Sequence, residues 1–168
     1  VKKPPANKTV ADGGRGLRLL VLQSRFNDDV VSGLAAGAAA YLTEVGATFE
    51  VEWAPGAFEL PLIAQTAAFT GRYDAIVALG AVIRGETDHY EHISREAARG
   101  VMDASLTTGV PVAFGVLTTQ KESHAIARSR PGRHNKGREA AAAAVETALL
   151  LKRLVAPVKS APVKKRRR

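Results

Sequence analysis

The sequence predicts an α/β protein in which helices cover both faces of a parallel sheet. Three observations lead there. Four strand-length apolar runs alternate with segments of helical periodicity. The first and third runs are almost continuously apolar, the mark of strands buried on both faces. Every run ends in a polar or aromatic turn, and parallel strands joined by right-handed crossovers would put all four turns along one sheet edge.

Leu17–Gln23 is the first strand, because Leu17, Leu19, Leu20, Val21 and Leu22 form a nearly unbroken apolar run. The turn Ser24-Arg25-Phe26-Asn27-Asp28 follows, and Asn27 or Asp28 can cap the next helix. Val31, Leu34, Ala35, Ala38, Leu42 and Val45 recur at helical spacing, and Gly46 is a natural stop. Ala47–Ala54 sets Phe49, Val51 and Trp53 against Glu50 and Glu52, which predicts an edge strand with one wetter face. The turn Pro55-Gly56-Ala57-Phe58-Glu59-Leu60-Pro61 leads into a helix to about Phe69, with Pro61 in its first turn and Gly71 closing it.

Asp74–Ile83 is the third strand. Beyond its turn, Ile93, Ala97, Val101, Met102 and Ser105 mark one face of a long helix ending near Gly109. Pro111–Leu117 is the fourth strand. Thr119-x-x-Glu122 has the form of a capping box and predicts a short helix to about Ser129. A basic loop containing Pro131-Gly132 precedes a last helix, about Lys136–Val155, alanine-rich on one side.

Composition fits one domain with a sizeable core: 168 residues, 46% hydrophobic. The absence of cysteine excludes disulfides, a thiol nucleophile and a Cys-based metal site. No stretch reads as a signal peptide or a membrane span, so a cytoplasmic enzyme or binding protein is expected, with no membrane partner. The net charge of +8 resembles a nucleic-acid footprint. Its placement argues otherwise. Lys2, Lys3, Lys8 and Arg15 near one end and the run Lys164–Arg168 at the other hold the excess, while the body between is balanced. Residues 1–16 therefore read as a flexible basic arm, 17–155 as the folded domain and 156–168 as a disordered basic tail. Nucleic acid is not expected as a partner except through that tail. Lys8-Thr9-Val10 could add to the edge of another sheet.

The stretch Ala78–Ser94 carries the strongest functional signal. An apolar run turns polar at Arg84-Gly85-Glu86-Thr87-Asp88-His89 and continues as a helical pattern. A strand's carboxyl end beside a helix start is where open α/β sheets bind ligands, and free N–H groups there suit an anion. Gly80–Thr87 nearly spells a nucleotide P-loop, but Glu86 stands where that loop needs lysine. A phosphate on a smaller substrate stays open, held by backbone N–H groups and the Thr87 hydroxyl.

Several side chains have two readings. Phe26 is either a lid over a helix end or a platform for a flat ring. Glu59 either favours the helix start or accepts from ligand hydroxyls. His89 is either a surface residue or a proton shuttle at the anion site. His92, three residues on, raises a metal question, but no third ligand and no H-E-x-x-H pattern accompanies the pair. A serine triad lacks its G-x-S-x-G elbow. Arg128 and Lys136 are either solvated cations or partners for a phosphate, for which Arg is the better fork.

Taken together, these motifs resemble the lumazine synthase family. Arg25-Phe26-Asn27, Pro55–Pro61, Ala78–Glu91, Gly115-Val116-Leu117-Thr118-Thr119 and Asn135-Lys136-Gly137 follow the family's order and spacing over about Leu17–Leu154. The resemblance implies a flavodoxin-like three-layer sandwich around a four-stranded parallel sheet. It implies condensation of 5-amino-6-(ribitylamino)uracil with 3,4-dihydroxy-2-butanone 4-phosphate, without metal or cofactor, in riboflavin biosynthesis. Phe26 would stack on the pyrimidine. Asn27, Ala57 and Phe58 would line the ring and ribityl chain, with Glu59 accepting from ribityl hydroxyls. Val82 and Ile83 would offer backbone to the uracil edge. Gly85, Glu86 (through its N–H) and Thr87 would cradle the phosphate, and His89 would move protons. A neighbouring subunit would supply Arg128 to the phosphate, and Phe114 and Lys136 to the pyrimidine and ribityl chain.

The resemblance also implies a homopentamer, with a sixty-subunit icosahedral shell favoured by the short Ser129–His134 connection, and an association with riboflavin synthase. Ala54 stands where the family commonly has a larger aliphatic and His92 where it has an aromatic, and the terminal basic run is outside its pattern. A non-catalytic lumazine- or flavin-binding relative is the alternative. Retention of both His89 and Arg128 speaks against it, since binding a ring and a ribityl chain requires neither.

Overall fold

The computed structural model describes residues 13–156. The expectations for Lys8–Val10 and the terminal basic run fall outside the described residues. Four strands, β1 (Arg18–Ser24), β2 (Thr48–Ala54), β3 (Ala75–Ile83) and β4 (Val112–Thr119), form a single sheet. All its pairings are parallel, in the order β2-β1-β3-β4. The connections are helical: α1 (Asp28–Glu44), α2 (Leu60–Phe69), α3 (His89–Thr108) and α4 (Glu122–Ser129), and α5 (Lys136–Val155) is the last element of the described residues.

The pleat divides the core in two. Leu19 and Val21 of β1, with Val77 and Leu79 of β3, face one side and meet Leu34 and Leu42 of α1, Ala125 of α4 and Ala144 of α5. Leu20 and Leu22, with Ile76 and Ala78, face the other and meet Leu60 and Ala64 of α2 and Val101 of α3. The result is a three-layer sandwich. Fully burying each leucine stabilises the fold by roughly 1.5–3 kcal/mol. Small residues set the helix spacing: a Cβ on Gly137 would fall on the backbone of Leu34, so α5 can lie directly against α1.

β2 is an edge strand, as its alternation predicts, but its apolar face is only partly covered. Phe49 packs against the α1 side of the core, whereas Val51 is 45% and Trp53 43% exposed. The predicted capping box at Thr119 does not form. Thr119 pairs with Ile83, and its carbonyl accepts from the Arg84 amide, so the residue stays in a longer β4. Lys121 takes the N-cap position of α4, with no side-chain cap. Sheet pairing outweighs a local motif of modest value.

The strand order reverses between β1 and β3: β2 lies on one side of β1, and β3 and β4 on the other. A crevice at the carboxyl ends of strands on either side of such a reversal is the place where this architecture binds ligands.

Candidate active site

A pocket of about 580 Å³ opens at that reversal. Three turns build it. After β1 come Phe26 and Asn27; after β2, Gly56, Ala57, Phe58 and Glu59; from β3 and the start of α3, Ala81, Val82, Ile83, His89 and Ile93.

Asn27 fixes the first turn. It sits at the N-cap position of α1 in the left-handed conformation (φ 57), where asparagine is tolerated better than most residues. Its side chain does not cap the helix as the sequence predicts. Nδ2 instead donates to the Ala81 carbonyl at 2.8 Å, tying the β1 turn to β3 across the pocket floor. Asp28 does not cap either; its carboxylate accepts from Ser32.

Gly56 holds the second turn against the first. A Cβ there would come within 3.0 Å of Glu59 Oε2 and 3.5 Å of Phe26 Cδ2. Ring and carboxylate therefore converge over one glycine, with Phe26 71% exposed and so available to a ligand. His89 is the first residue of α3, with its side chain at the mouth. The loop between β3 and α3 carries Gly85, Glu86 and Thr87, all exposed at the rim rather than in the lining. Asp88 occupies the N-cap position and, like Glu86, is exposed, so neither carboxylate is buried beside the loop's N–H groups.

Phe114, Arg128 and Lys136 lie elsewhere. They line a second groove of about 420 Å³ on the open edge of the sheet, formed by β4, α4 and α5. Phe114 projects from β4 and is 41% exposed. Lys136 pairs with Glu139, and Arg128 folds back on α4, donating from Nη1 to the His124 carbonyl at 2.9 Å. Thr118 and Thr119 belong to this groove too, so the fourth turn does not converge with the other three as the alternating pattern predicts. The two cavities share no lining residue.

Charge is perturbed away from both cavities. Glu50 is held below the usual carboxylate range by the Tyr73 hydroxyl, which donates at 2.6 Å, and by Arg72. Burial and that same carboxylate push Tyr73 upward. Burial also raises Tyr41, against the Arg138 guanidinium stacked on its ring. These groups brace the sheet and its flanks. Among the described residues no cluster of three or more His, Asp or Glu could hold a metal ion, and none of the helices is long and apolar enough to cross a membrane.

A family model described as 6,7-dimethyl-8-ribityllumazine synthase matches residues 16–152. The chain belongs to that family. A relative from Caulobacter vibrioides, described as 6,7-dimethyl-8-ribityllumazine synthase 1, is 51% identical over 140 residues, which span 82% of this chain and 92% of the relative. Family membership agrees with the resemblance read from the motifs, and the architecture agrees with the flavodoxin-like sandwich it implies.

Sequence reasoning missed three members of the first pocket. Gly56 lies within the Pro-Gly turn, where a close approach was the available signal. Ile93 stands four residues after His89, one turn along the same helix face. Ala81 shares the Ile83 face of β3 by strand alternation.

Proposed function

We propose that this chain is a 6,7-dimethyl-8-ribityllumazine synthase, an enzyme of riboflavin biosynthesis. It condenses 5-amino-6-(ribitylamino)uracil with 3,4-dihydroxy-2-butanone 4-phosphate and releases phosphate and water. One observation carries this reading: in a member of this family, Phe26, Glu59 and His89 converge on one pocket at the sheet's reversal point.

Each part of the pocket suits a part of that reaction. The Phe26 ring stacks on the flat pyrimidine. Backbone of Ala57, Phe58, Val82 and Ile83, with Asn27, lines the ring and ribityl chain. The Glu59 carboxylate accepts from ribityl hydroxyls. Gly85, Glu86 and Thr87 offer N–H groups and a hydroxyl to the phosphate at the start of α3. The amine of one substrate attacks the ketone of the other and a first water leaves, phosphate is eliminated, and closure of the second ring expels a second water. His89 moves protons through these steps. Both substrates are reactive, so holding them together supplies much of the acceleration.

The phosphate would gain a cation from Arg128, which lies in the other groove. We therefore place the complete site between two protomers, with Phe114, Arg128 and Lys136 of one meeting the first pocket of the next. A head-to-tail interface of that kind forms a ring when its rotation closes. A pentamer is the reading we favour, with a larger shell as a further assembly of pentamers.

The test is direct. Mixing both substrates with the protein should raise lumazine absorbance well above the uncatalysed rate, with phosphate released alongside. A non-catalytic binder would take up the pyrimidine and leave that rate unchanged, which would overturn the proposal.

A further inference from the structure

The second groove depends on two short elements meeting correctly. Arg128 is on α4, an eight-residue helix that buries only Ala125 and Ser129. Lys136 is the first residue of α5. Between them, Asn135 is 2% exposed, a degree of burial that an amide tolerates only when its hydrogen bonds are made.

Asn135 makes them in three directions. Its Oδ1 accepts from the Arg138 amide at 3.0 Å, capping α5. Its Nδ2 donates to the Ser129 carbonyl at 2.7 Å and the Arg130 carbonyl at 3.2 Å, which end α4. The same amide donates to the Gly33 carbonyl of α1 at 2.9 Å. Three acceptors around one NH₂ group share its two hydrogens.

Two glycines on α1 shape the seat. A Cβ on Gly37 would overlap the Asn135 amide, and one on Gly33 would come within 2.7 Å of the Ser129 carbonyl oxygen. Asn135 thus rests on α1 and locks both elements that carry the groove's cations to it. A plain capping residue would need only the Arg138 contact.

We propose that Asn135 is a positioning residue for the phosphate end of the reaction. It acts through Arg128 by fixing the end of α4 against the start of α5. The inference rests on the reading of this groove as the partner of the phosphate.

Asn135→Ser separates the roles, because serine can still cap α5 but cannot donate to three carbonyls at once. Its KM for the phosphorylated ketone should rise about tenfold, since small misplacements of a binding group cost that much or more. The KM for the pyrimidine should change little by comparison. In an Arg128→Ala background the same change should add almost nothing, because the group being positioned is gone. Gly33→Ala pushes the Ser129 carbonyl while leaving the α5 cap in place, and should reproduce the selective KM effect if Asn135→Ser does not fold.

Effects that multiply in the double variant, or that raise both KM values equally, would overturn the inference while leaving the groove's role intact. An Arg128→Ala protein with an unchanged KM for the phosphorylated ketone would overturn both.

Discussion

The two cavities of this chain are made differently and are suited to different chemistry. The pocket at the carboxyl ends of β1, β2 and β3 is built from strand-to-helix turns and presents aromatic rings, backbone and one imidazole. The groove on β4 is built from the exposed edge of the sheet and two helix starts or ends, and presents cations. One suits a flat, hydroxylated ring; the other suits charge. The difference supports our proposal that the phosphate, cradled at the rim of the first pocket, takes its cation from a neighbouring protomer's groove.

That contrast can be broken most severely at His89. His89→Ala should lower kcat by about a hundredfold, the lower end of what a general acid–base group contributes. Turnover should stay above the uncatalysed rate, because the pocket still holds the substrates. Comparison of variant, wild type and enzyme-free mixtures measures it, and a fall to the uncatalysed rate would assign His89 a larger role than proton transfer.

Arg128→Ala sharpens the contrast from the other side. Losing a charge-assisted contact should raise the KM for the phosphorylated ketone by roughly 10- to 100-fold. The pyrimidine requirement should hold steady when each substrate is varied in turn. An unchanged ketone requirement would remove Arg128 from the site.

Phe26→Ala should do the reverse at smaller scale. Stacking is worth about 0.5–1.5 kcal/mol beyond area, so the pyrimidine KM should rise by about 2- to 12-fold. The ketone KM should be little affected, and an equal rise in both would show that Phe26 shapes the whole pocket instead of one ring.

The smallest effect concerns neither cavity and acts as a control. Burial opposes ionisation of Asp74, but the Lys152 ammonium at 2.9 Å and the Arg18 amide at 2.7 Å outweigh it, and the net shift is downward. A depressed carboxyl contributes stability above its unfolded pKa and loses it as pH falls through its folded value. Asp74→Asn should therefore flatten the loss of stability below about pH 4. The acid midpoint should move by a few tenths of a pH unit, roughly what an exposed pair provides. Acid titration followed by circular dichroism reads it, and both KM values should be untouched.

Much of the first pocket was legible in the sequence because its parts are local. Each turn directly follows its strand, and parallel topology forces those turns to one edge. Phe26, Ala57 and His89 could be gathered without knowing any contact. The β4 groove was legible only as a set of residues, since its separation from the pocket depends on strand order, which alternation does not specify. Thr119 shows the limit of local signals: its letters fit a capping box, but pairing with Ile83 keeps it in the sheet. Asn27 shows another limit. Its amide serves Ala81, 54 residues away, instead of the helix beside it. The seat of Asn135 on Gly33, 102 residues distant, has no sequence signal short of the glycine itself.

Mixed assemblies test the division between protomers most directly. His89→Ala spoils only the first pocket and Arg128→Ala only the groove. Co-assembling the two in equal amounts should give about a quarter of the interfaces a wild-type pocket facing a wild-type groove, if neighbours associate head to tail at random. At ketone concentrations well below the wild-type KM, activity should then rise to about a quarter of the wild-type value, well above either parent assembled alone. Activity no greater than the average of the parents would contradict a site shared between protomers.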